Sequence, residues 1–491
     1  MIHHYKLNGF NIILDVDSGA IHSVDDVAYD VICAYESVWD AARFQNDVPG
    51  KCVSFDDVDI RYLVSNIIFL YENLIEDDVV EIIDDLEALI TQGKLFSEND
   101  FTEATNKKHG NILVTALCLN VSHACNMACA YCFAGCGDTG EESDNNKSDN
   151  NKPDTGNDIL MSFETGKRAI DFLFENSGDK KNLDVDFFGG EPLLNWDVVK
   201  KIVLYARELE CGTDKRFRFT LTTNGLLIDD DVINFTGNHM HNVVLSLDGR
   251  PEVHDAMRKL PSGSGSYSKV VDKIKKLADA RCGKGYYIRS TFTGENKDFV
   301  NDILHIADLG FKELSSEPAV SGKTQGESSL VFSEADLPQL FKQYEKLAVE
   351  MLKREQLGTG FNFYHYTLDL TGGPCVHKRI AGCGVGTEYM AVTPSGELYP
   401  CHQFVGDKRF HLGNVWQGIV NTGLQNEFSA CSIYSRTECL NCWAKFYCSG
   451  GCAANAYYDS GSLNGIYKIG CELFKKRMEC AIMMHVAREM R

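Results

Sequence analysis

Cys125, Cys129 and Cys132 stand in a C-x3-C-x2-C run, with Tyr131 directly before the last thiol. Thiolates bind iron and zinc, and four ligands saturate a cubane iron–sulfur cluster. Three close cysteines leave one iron open, where a molecule with nitrogen and oxygen donors can chelate it. The same thiols with His123 as fourth ligand would instead make a zinc site. Downstream come Cys383, Cys401, Cys439, Cys442, Cys448, Cys452 and Cys471. Seven cysteines in that order point to further metal centres, with a pair of structural zinc sites as the alternative. The chain holds nineteen cysteines, and its first residues do not read as a secretory signal. Clustered thiols then speak for metal or redox chemistry over disulfides. The scattered remainder is Cys33, Cys52, Cys118, Cys136, Cys211, Cys282, Cys375, Cys431 and Cys480. For most of these a small buried hydrophobe is the expected role.

Residues with such chemistry need elements to position them. Strand patterns occur at 113–122, 183–190, 218–225, 242–249, 286–293 and 311–319, with helical patterns between most of them. In 269–280, for example, Val270, Val271, Ile274, Leu277 and Ala278 fall on one face. Six strands alternating with helices predict a parallel α/β sheet, doubly wound or a partial barrel. Ligands of such sheets bind at the C-terminal strand ends. The unusual residues gather there: Cys125, Gly189-Gly190-Glu191, Thr223-Asn224-Gly225, Ser246 with Asp248, Arg289, and Glu317, in strand order.

Around this domain of about 110–330 lie three other regions. Residues 1–105 read as a small α/β module of winged-helix type, with strands at 10–15 and 20–24 before three helical patterns. Residues 331–372 read as a helical connector. Residues 373–491 are rich in cysteine and glycine, which predicts organisation by metal rather than by a large core. Residues 137–158 carry no core-forming side chain and read as a flexible insert whose deletion leaves activity intact. The net charge of −22 argues against nucleic-acid or anionic-membrane binding, while leaving room for a basic peptide. No apolar run approaches the ~18 residues of a membrane span.

C-x3-C-x-aromatic-C after a first strand resembles the radical S-adenosylmethionine (SAM) superfamily. The resemblance implies a 4Fe–4S cluster on Cys125, Cys129 and Cys132, with the methionine amino and carboxylate groups on the open iron. One electron would then yield a 5′-deoxyadenosyl radical that abstracts hydrogen. Phe187-Phe188-Gly189-Gly190-Glu191-Pro192 matches the family's GGEP segment, whose backbone and carboxylate would receive the methionine ammonium. By the same resemblance Ser246 and Arg289 are candidates for the methionine carboxylate and ribose, with Thr222 and Asn224 as further candidates.

The downstream cysteines resemble the SPASM domain, which implies two auxiliary 4Fe–4S clusters and so three clusters in all. The family pattern gives Cys439, Cys442, Cys448 and Cys471 to one, and Cys383, Cys401 and Cys452 to the other. Either Cys375 completes the second set or one iron stays open to a substrate thiolate. The opening residues 1–32 and the segment 399–406 resemble maturases of "six cysteines in forty-five residues" peptides. That implies an N-terminal module binding the leader of a cysteine-rich precursor peptide, an electron donor, a cytoplasmic setting, and thioether formation between a cysteine sulfur and a carbon. Oligomeric state stays undetermined. Sulfatase maturases share the core domains but place an aspartate where this chain has His402, whose imidazole could serve as base. A non-catalytic, metal-stabilised peptide-binding protein is the alternative from another class.

Overall fold

The computed structural model describes residues 1–45, 60–71, 73–97, 112–132, 159–283, 285–320, 329–370 and 376–490. The 137–158 insert, Cys52, Cys136 and Cys375 lie outside the described residues.

The N-terminal module begins with an antiparallel sheet of β1 (Ile2–Leu7), β2 (Phe10–Asp15) and β3 (Ile21–Val24), in that order. Three helices follow: α1 (Asp26–Gln45), α2 (Ile60–Leu70) and α3 (Glu76–Thr91). Strand β2 is buried on both faces. Ile13 packs with Val31, Ile32, Tyr35, Leu63 and Ile83, while Ile12 and Leu14 enter the main core of the chain. The pleat's period of two sends neighbouring side chains to opposite faces, so one strand seals two layers. β1 was not foreseen. It lies against the C-terminal helix, where Tyr5 Oη donates to Glu479 O at 2.9 Å.

The central domain holds six strands: β4 (Ala116–Ser122), β6 (Asn182–Gly189), β7 (Arg216–Thr223), β8 (Asn242–Ser246), β10 (Tyr286–Phe292) and β11 (Glu313–Pro318). Two short strands, β5 (Ala128–Cys129) and β9 (Arg258–Lys259), pair separately. The six stand side by side in chain order and all pairs are parallel. Between them run α4 (Phe163–Asn176), α5 (Trp196–Leu209), α6 (Asp230–His239), α7 (Pro251–Met257), α8 (Tyr267–Ala280) and α9 (Val300–Asp308). This is the topology of a partial (β/α)6 barrel. The starts of helices are capped locally: Ser162 Oγ accepts from Thr165 N, and an Asp229 carboxylate oxygen from Val232 N. Alternation along β7 buries Phe217, Phe219 and Leu221 and turns Arg218, Thr220 and Thr222 to the other face. That face is polar. Arg218 donates to both Asp184 oxygens, at 2.7 and 2.6 Å. On α8 the buried residues are Val270, Ile274, Leu277 and Ala278, with Val271 at the margin.

Two sequence expectations need correction. The connector is not only helical. After α10 (Leu337–Gln356), β12 (Asn362–Phe363) pairs parallel with β11 and extends the sheet. A two-residue strand is too short to carry a period. The C-terminal region also contributes many buried apolar residues to the main core of the chain. Its β13 (Tyr389–Val392) pairs parallel with β4, and β14 (Glu397–Tyr399), β15 (Gly413–Asn414) and β16 (Gly418–Ile419) continue antiparallel, making one sheet of eleven strands. Its last helix, α11 (Lys468–Glu489), buries Leu473, Met478, Cys480, Ile482, Met483 and Met484. Of the scattered cysteines, Cys118, Cys431 and Cys480 are buried as expected, Cys33 is half-buried, and Cys211 and Cys282 are exposed.

Candidate active site

Three strand ends hold the first thiol loop. Its Ala128–Cys129 segment pairs antiparallel with Arg258–Lys259, and Ala130 N donates to Met257 O at 2.8 Å. Tyr131 Oη donates to Asp248 Oδ2 at 2.6 Å, and Thr291 N to Asp248 Oδ1 at 3.0 Å. Arg258 pairs with the same carboxylate at 3.1 Å and lies over the Tyr131 ring, 5.4 Å from its centroid. The loop thus hangs from β8, β9 and β10 through one buried aspartate.

The glycines act by close approach. Gly190 N donates to Ser122 O at 2.7 Å and Glu191 N to Ala124 O at 3.0 Å, so the end of β6 lies directly against the start of the loop. A Cβ at Gly190 would collide with Ala124 O, and one at Gly189, whose φ is +124°, with Ser122 O. Glu191 is buried and fully engaged. Its carboxylate accepts from Thr223 Oγ1 at 2.7 Å, Asn224 N at 2.8 Å and Leu193 N at 3.1 Å. Burial pushes this carboxyl up to about 7, against the pull of those donors. Asn224 Nδ2 donates to Asn126 Oδ1 at 2.7 Å and reaches Cys125 Sγ at 3.8 Å.

Cys125 and Cys129 are half-buried and Cys132 is exposed. Burial raises the Cys125 and Cys129 thiols, the latter to about 11, and the three sulfurs act on one another electrostatically. Thiolates crowded in a desolvated loop need a cation among them. Three thiols on one short loop are a donor set that suits a thiophilic metal group.

Of the further candidates, Thr222 and Ser246 lie on β7 and β8, and Arg289 on β10 stands opposite Ser246 in register. The structure brings Gly189, Gly190, Glu191 and Asn224 to the thiol loop, while Arg289 faces Glu317, His365 and His402 instead. Sequence reasoning missed Arg258, and it placed Thr223 at a strand end without giving it a role. Arg258 sits on a two-residue strand that periodicity cannot reveal. Thr223, not its neighbour Thr222, meets Glu191.

In the C-terminal region, Cys439, Cys442, Cys448 and Cys471 line one cavity of about 350 Å³ together with Lys445, Lys468 and Lys475. Burial pushes Cys448 up to about 12 and Cys471 to about 11, with the neighbouring thiols adding to the effect. Cys383, Cys401 and Cys452 form a second mutually interacting set, and Gln403 Nε2 reaches Cys452 Sγ at 3.6 Å. Both sets fit metal groups by donor chemistry. His402 is half-buried beside the second set, its ring 5.0 Å from that of Phe188 at the end of β6, and Tyr389 Oη is 3.5 Å from its Nδ1. Burial and then Arg289 push His402 down to about 4, so its ring is neutral and a weaker base than an ordinary imidazole.

The radical SAM superfamily model matches residues 119–307, and the SPASM iron–sulfur cluster-binding domain model matches 383–443. This chain carries a radical SAM domain and a SPASM domain. The radical SAM domain spans β4 to α9, and the SPASM match begins at Cys383. Both domain types imply 4Fe–4S clusters, and the former implies SAM. The chain is 22% identical over 373 residues to the radical SAM cyclopropyl synthase TigE of Paramaledivibacter caminithermalis, covering 74% of this chain and 72% of that protein. It is 26% identical over 345 residues to the cysteine-type anaerobic sulfatase-maturating enzyme of Clostridium perfringens, covering 67% and 86%. In fold it resembles native anSMEcpe with bound AdoMet and the Cp18Cys peptide, with a TM-score of 0.59 at 21% identity over 77% of this chain and 99% of that one. Among the described residues no helix is long and apolar enough to cross a membrane.

Proposed function

We propose that this chain is a radical SAM maturase that joins a cysteine sulfur to a carbon within one ribosomally made, cysteine-rich peptide. The observation that carries the reading is that segments bordering two thiol sets both contact the end of β6. Gly189 and Gly190 abut the Cys125 loop there, and Phe188, one residue earlier, touches His402 beside Cys401. A peptide sulfur at the Cys383, Cys401 and Cys452 set would lie across the same strand end from the hydrogen-abstracting centre. Cys375, outside the described residues, is the candidate to complete that set when no substrate does.

In this reading Cys125, Cys129 and Cys132 hold one cluster, and the two SPASM sets hold two more, for three in all. When bound, the clusters and SAM supply one-electron hydrogen abstraction. The chain's own residues do the positioning. Glu191 locks the ends of β6 and β7 together, Arg258 and Asp248 fix the loop, and Thr222, Ser246 and Arg289 line the inner face. A neutral His402 can accept a hydrogen bond from a thiol. The N-terminal module is read as a winged-helix-like leader-binding domain. In its sheet β1 and β3 are the outer strands, β1 side chains pack on α11, and β3 is the edge where we place a leader added as a strand. An electron donor is required.

The test is anaerobic incubation of the cluster-loaded chain with SAM, a reductant and a cysteine-rich precursor peptide, read by mass spectrometry. Thioether formation removes two hydrogens per bridge, survives reduction and protects the bridging cysteine from alkylation. Formation of 5′-deoxyadenosine with no change in peptide mass would sink the substrate assignment. A second reading, oxidation of a sulfatase cysteine or serine, draws on the similarity to the Clostridium perfringens maturase. It predicts a product aldehyde that a hydrazide traps.

A further inference from the structure

A buried cation that the proposed roles do not use stands between the two thiol sets of the SPASM region. Arg436 comes just before the one-turn helix Thr437–Leu440, which carries Cys439, and it is 3% exposed. Two backbone carbonyls fix its guanidinium. Nη1 donates to Gly450 O, and Nη2 donates to Leu463 O at 3.0 Å. Gly450 falls between Cys448 and Cys452 in the chain and lines the cavity of Cys439, Cys442, Cys448 and Cys471. Arg436 itself lines a smaller cavity with Cys383. The guanidinium thus belongs to the wall that separates the two sets.

Among the described residues no carboxylate pairs with Arg436, and its buried Nε has no hydrogen-bond partner. Carbonyls offer dipoles but no charge. A desolvated cation left in that state is costly unless an anion lies near. The anions at hand are sulfurs. Burial raises these thiols, but the charge of Arg436 pulls Cys439 and Cys448 of one set, and Cys383 of the other, back toward the ionised form. Lys475 differs. It acts on Cys439 and Cys471, but it is half-buried and already paired with Glu472 at 2.9 Å, so a carboxylate offsets its charge. The Cys125 loop has a cation of its own in Arg258, which acts on Cys129.

We infer that Arg436 is the shared counter-charge of the two SPASM thiol sets and makes the groups held by both easier to reduce. The inference rests on the reading that each set carries its own cluster, and it adds what balances their charge. Adding an electron to a thiolate-held cluster adds negative charge, and the potential follows the net charge and the hydrogen bonds around the sulfurs. A fixed cation in a water-poor wall favours the reduced form. Because Arg436 borders both sets, one substitution moves both potentials and leaves the Cys125 loop, balanced by Arg258, as it is.

The experiment uses the cluster-loaded full chain and its Arg436→Gln and Arg436→Lys variants. Iron and sulfide are counted first. Each cluster is then titrated anaerobically with dithionite and followed by EPR. Gln keeps a donor for Gly450 O without the charge, and Lys keeps the charge without the planar fork. The expected result is that both SPASM clusters of Arg436→Gln become about tenfold harder to reduce, a fall of about 59 mV for one electron, while the Cys125 cluster stays within about twofold of wild type. Arg436→Lys recovers most of the difference. If Arg436→Gln loses SPASM iron outright, retention of that iron in Arg436→Lys supports the same conclusion. Unchanged potentials in a fully loaded Arg436→Gln would overturn the inference. So would an equal shift or an equal loss of iron in the two variants, since Arg436 would then act only as a clamp on Gly450 and Leu463. A shift confined to one SPASM cluster would overturn the shared role. A wild type with fewer than two SPASM clusters would show in the iron count before any titration, and would overturn the cluster reading on which the inference rests.

Discussion

Two regions of this chain gather thiols, and they are built in opposite ways. The Cys125–Cys132 loop is short and borrows its rigidity. Asp248 ties it to three strands, Glu191 joins β6 to β7 beneath it, and two glycine peptides lie flush against its backbone. The cysteines from 383 to 452 sit instead on short helices and turns, Cys471 sits near the start of α11, and four of the seven surround an open cavity of about 350 Å³. In the first region the scaffold comes before the ligand. In the second, four thiols face open space, and a bound group would supply contacts across it. One loop is thus preformed for chemistry, while the other region owes part of its fold to what it binds.

Removing ligands separates the two most sharply. Cys439→Ala with Cys448→Ala is expected to open the 431–467 stretch to limited proteolysis and sharply reduce soluble protein. Cys125→Ala with Cys129→Ala should keep the wild-type digestion pattern while 5′-deoxyadenosine formation falls below detection. Equal protease sensitivity in both variants would erase the contrast. A step down in size, Gly190→Ala forces a methyl into Ala124 O and must shift backbone, costing ~2–4 kcal/mol or displacing the loop. Iron at the first site should fall while iron at the SPASM sites holds, which site-resolved Mössbauer or EPR spectroscopy reads directly. Retention of all the iron would mean that the strand end is softer than its packing implies.

The sequence was legible where period and spacing carry information. Six strands with intervening helices were readable because strands such as β7 and β10 alternate over eight and seven residues, long enough for the pleat to show. The sheet's continuation was not. β12 and β15 are two residues long, and the pairing of β13 with β4 joins positions more than 270 apart, set by tertiary packing that no local pattern records. At the site, Gly189, Gly190 and Glu191 stood out by type, but the role of Glu191 as a tie between strands became visible only with its donors in place. Arg258 escaped because nothing in its neighbourhood repeats. Its importance comes from facing Tyr131 across a pair of two-residue strands. The start of β4 at Ala116 rather than residue 113 has a similar cause. Thr115 N and Ala116 N both donate to Glu388 O, a partner from the far C-terminal region.

A smaller effect sharpens the claim that the first loop is preformed. Tyr131→Phe removes the 2.6 Å bond to Asp248 but leaves Arg258 and Thr291 N on that carboxylate. The loss should be ~1–2 kcal/mol, a fall of a few degrees in the thermal midpoint of the barrel, with the loop's iron retained. If iron is lost as readily as in Gly190→Ala, the loop depends on this one phenol and is not held by the strands together.

The weakest expected effect lies under the seam where the two regions meet. Asp186 faces inward on β6, beside Cys118 of β4 and within reach of Tyr389 of β13, the strand that attaches the SPASM domain. Burial, then the charge of Asp184, raises its carboxyl to about 6, against a hydrogen bond from Thr220. A folded pKa above the unfolded one favours the protonated carboxyl in the fold. Its contribution is complete below the unfolded pKa near 4 and disappears as pH rises through about 6. Between pH 5 and pH 8 the wild type should therefore lose ~1 kcal/mol that Asp186→Asn keeps, since an amide stays neutral throughout. Anaerobic melting at both pH values measures it as a difference between the two proteins, which cancels any pH effect on the clusters themselves. An equal pH response in the two would mean that water reaches Asp186, and that the seam between the preformed barrel and the SPASM domain is looser than the burial of its strands implies.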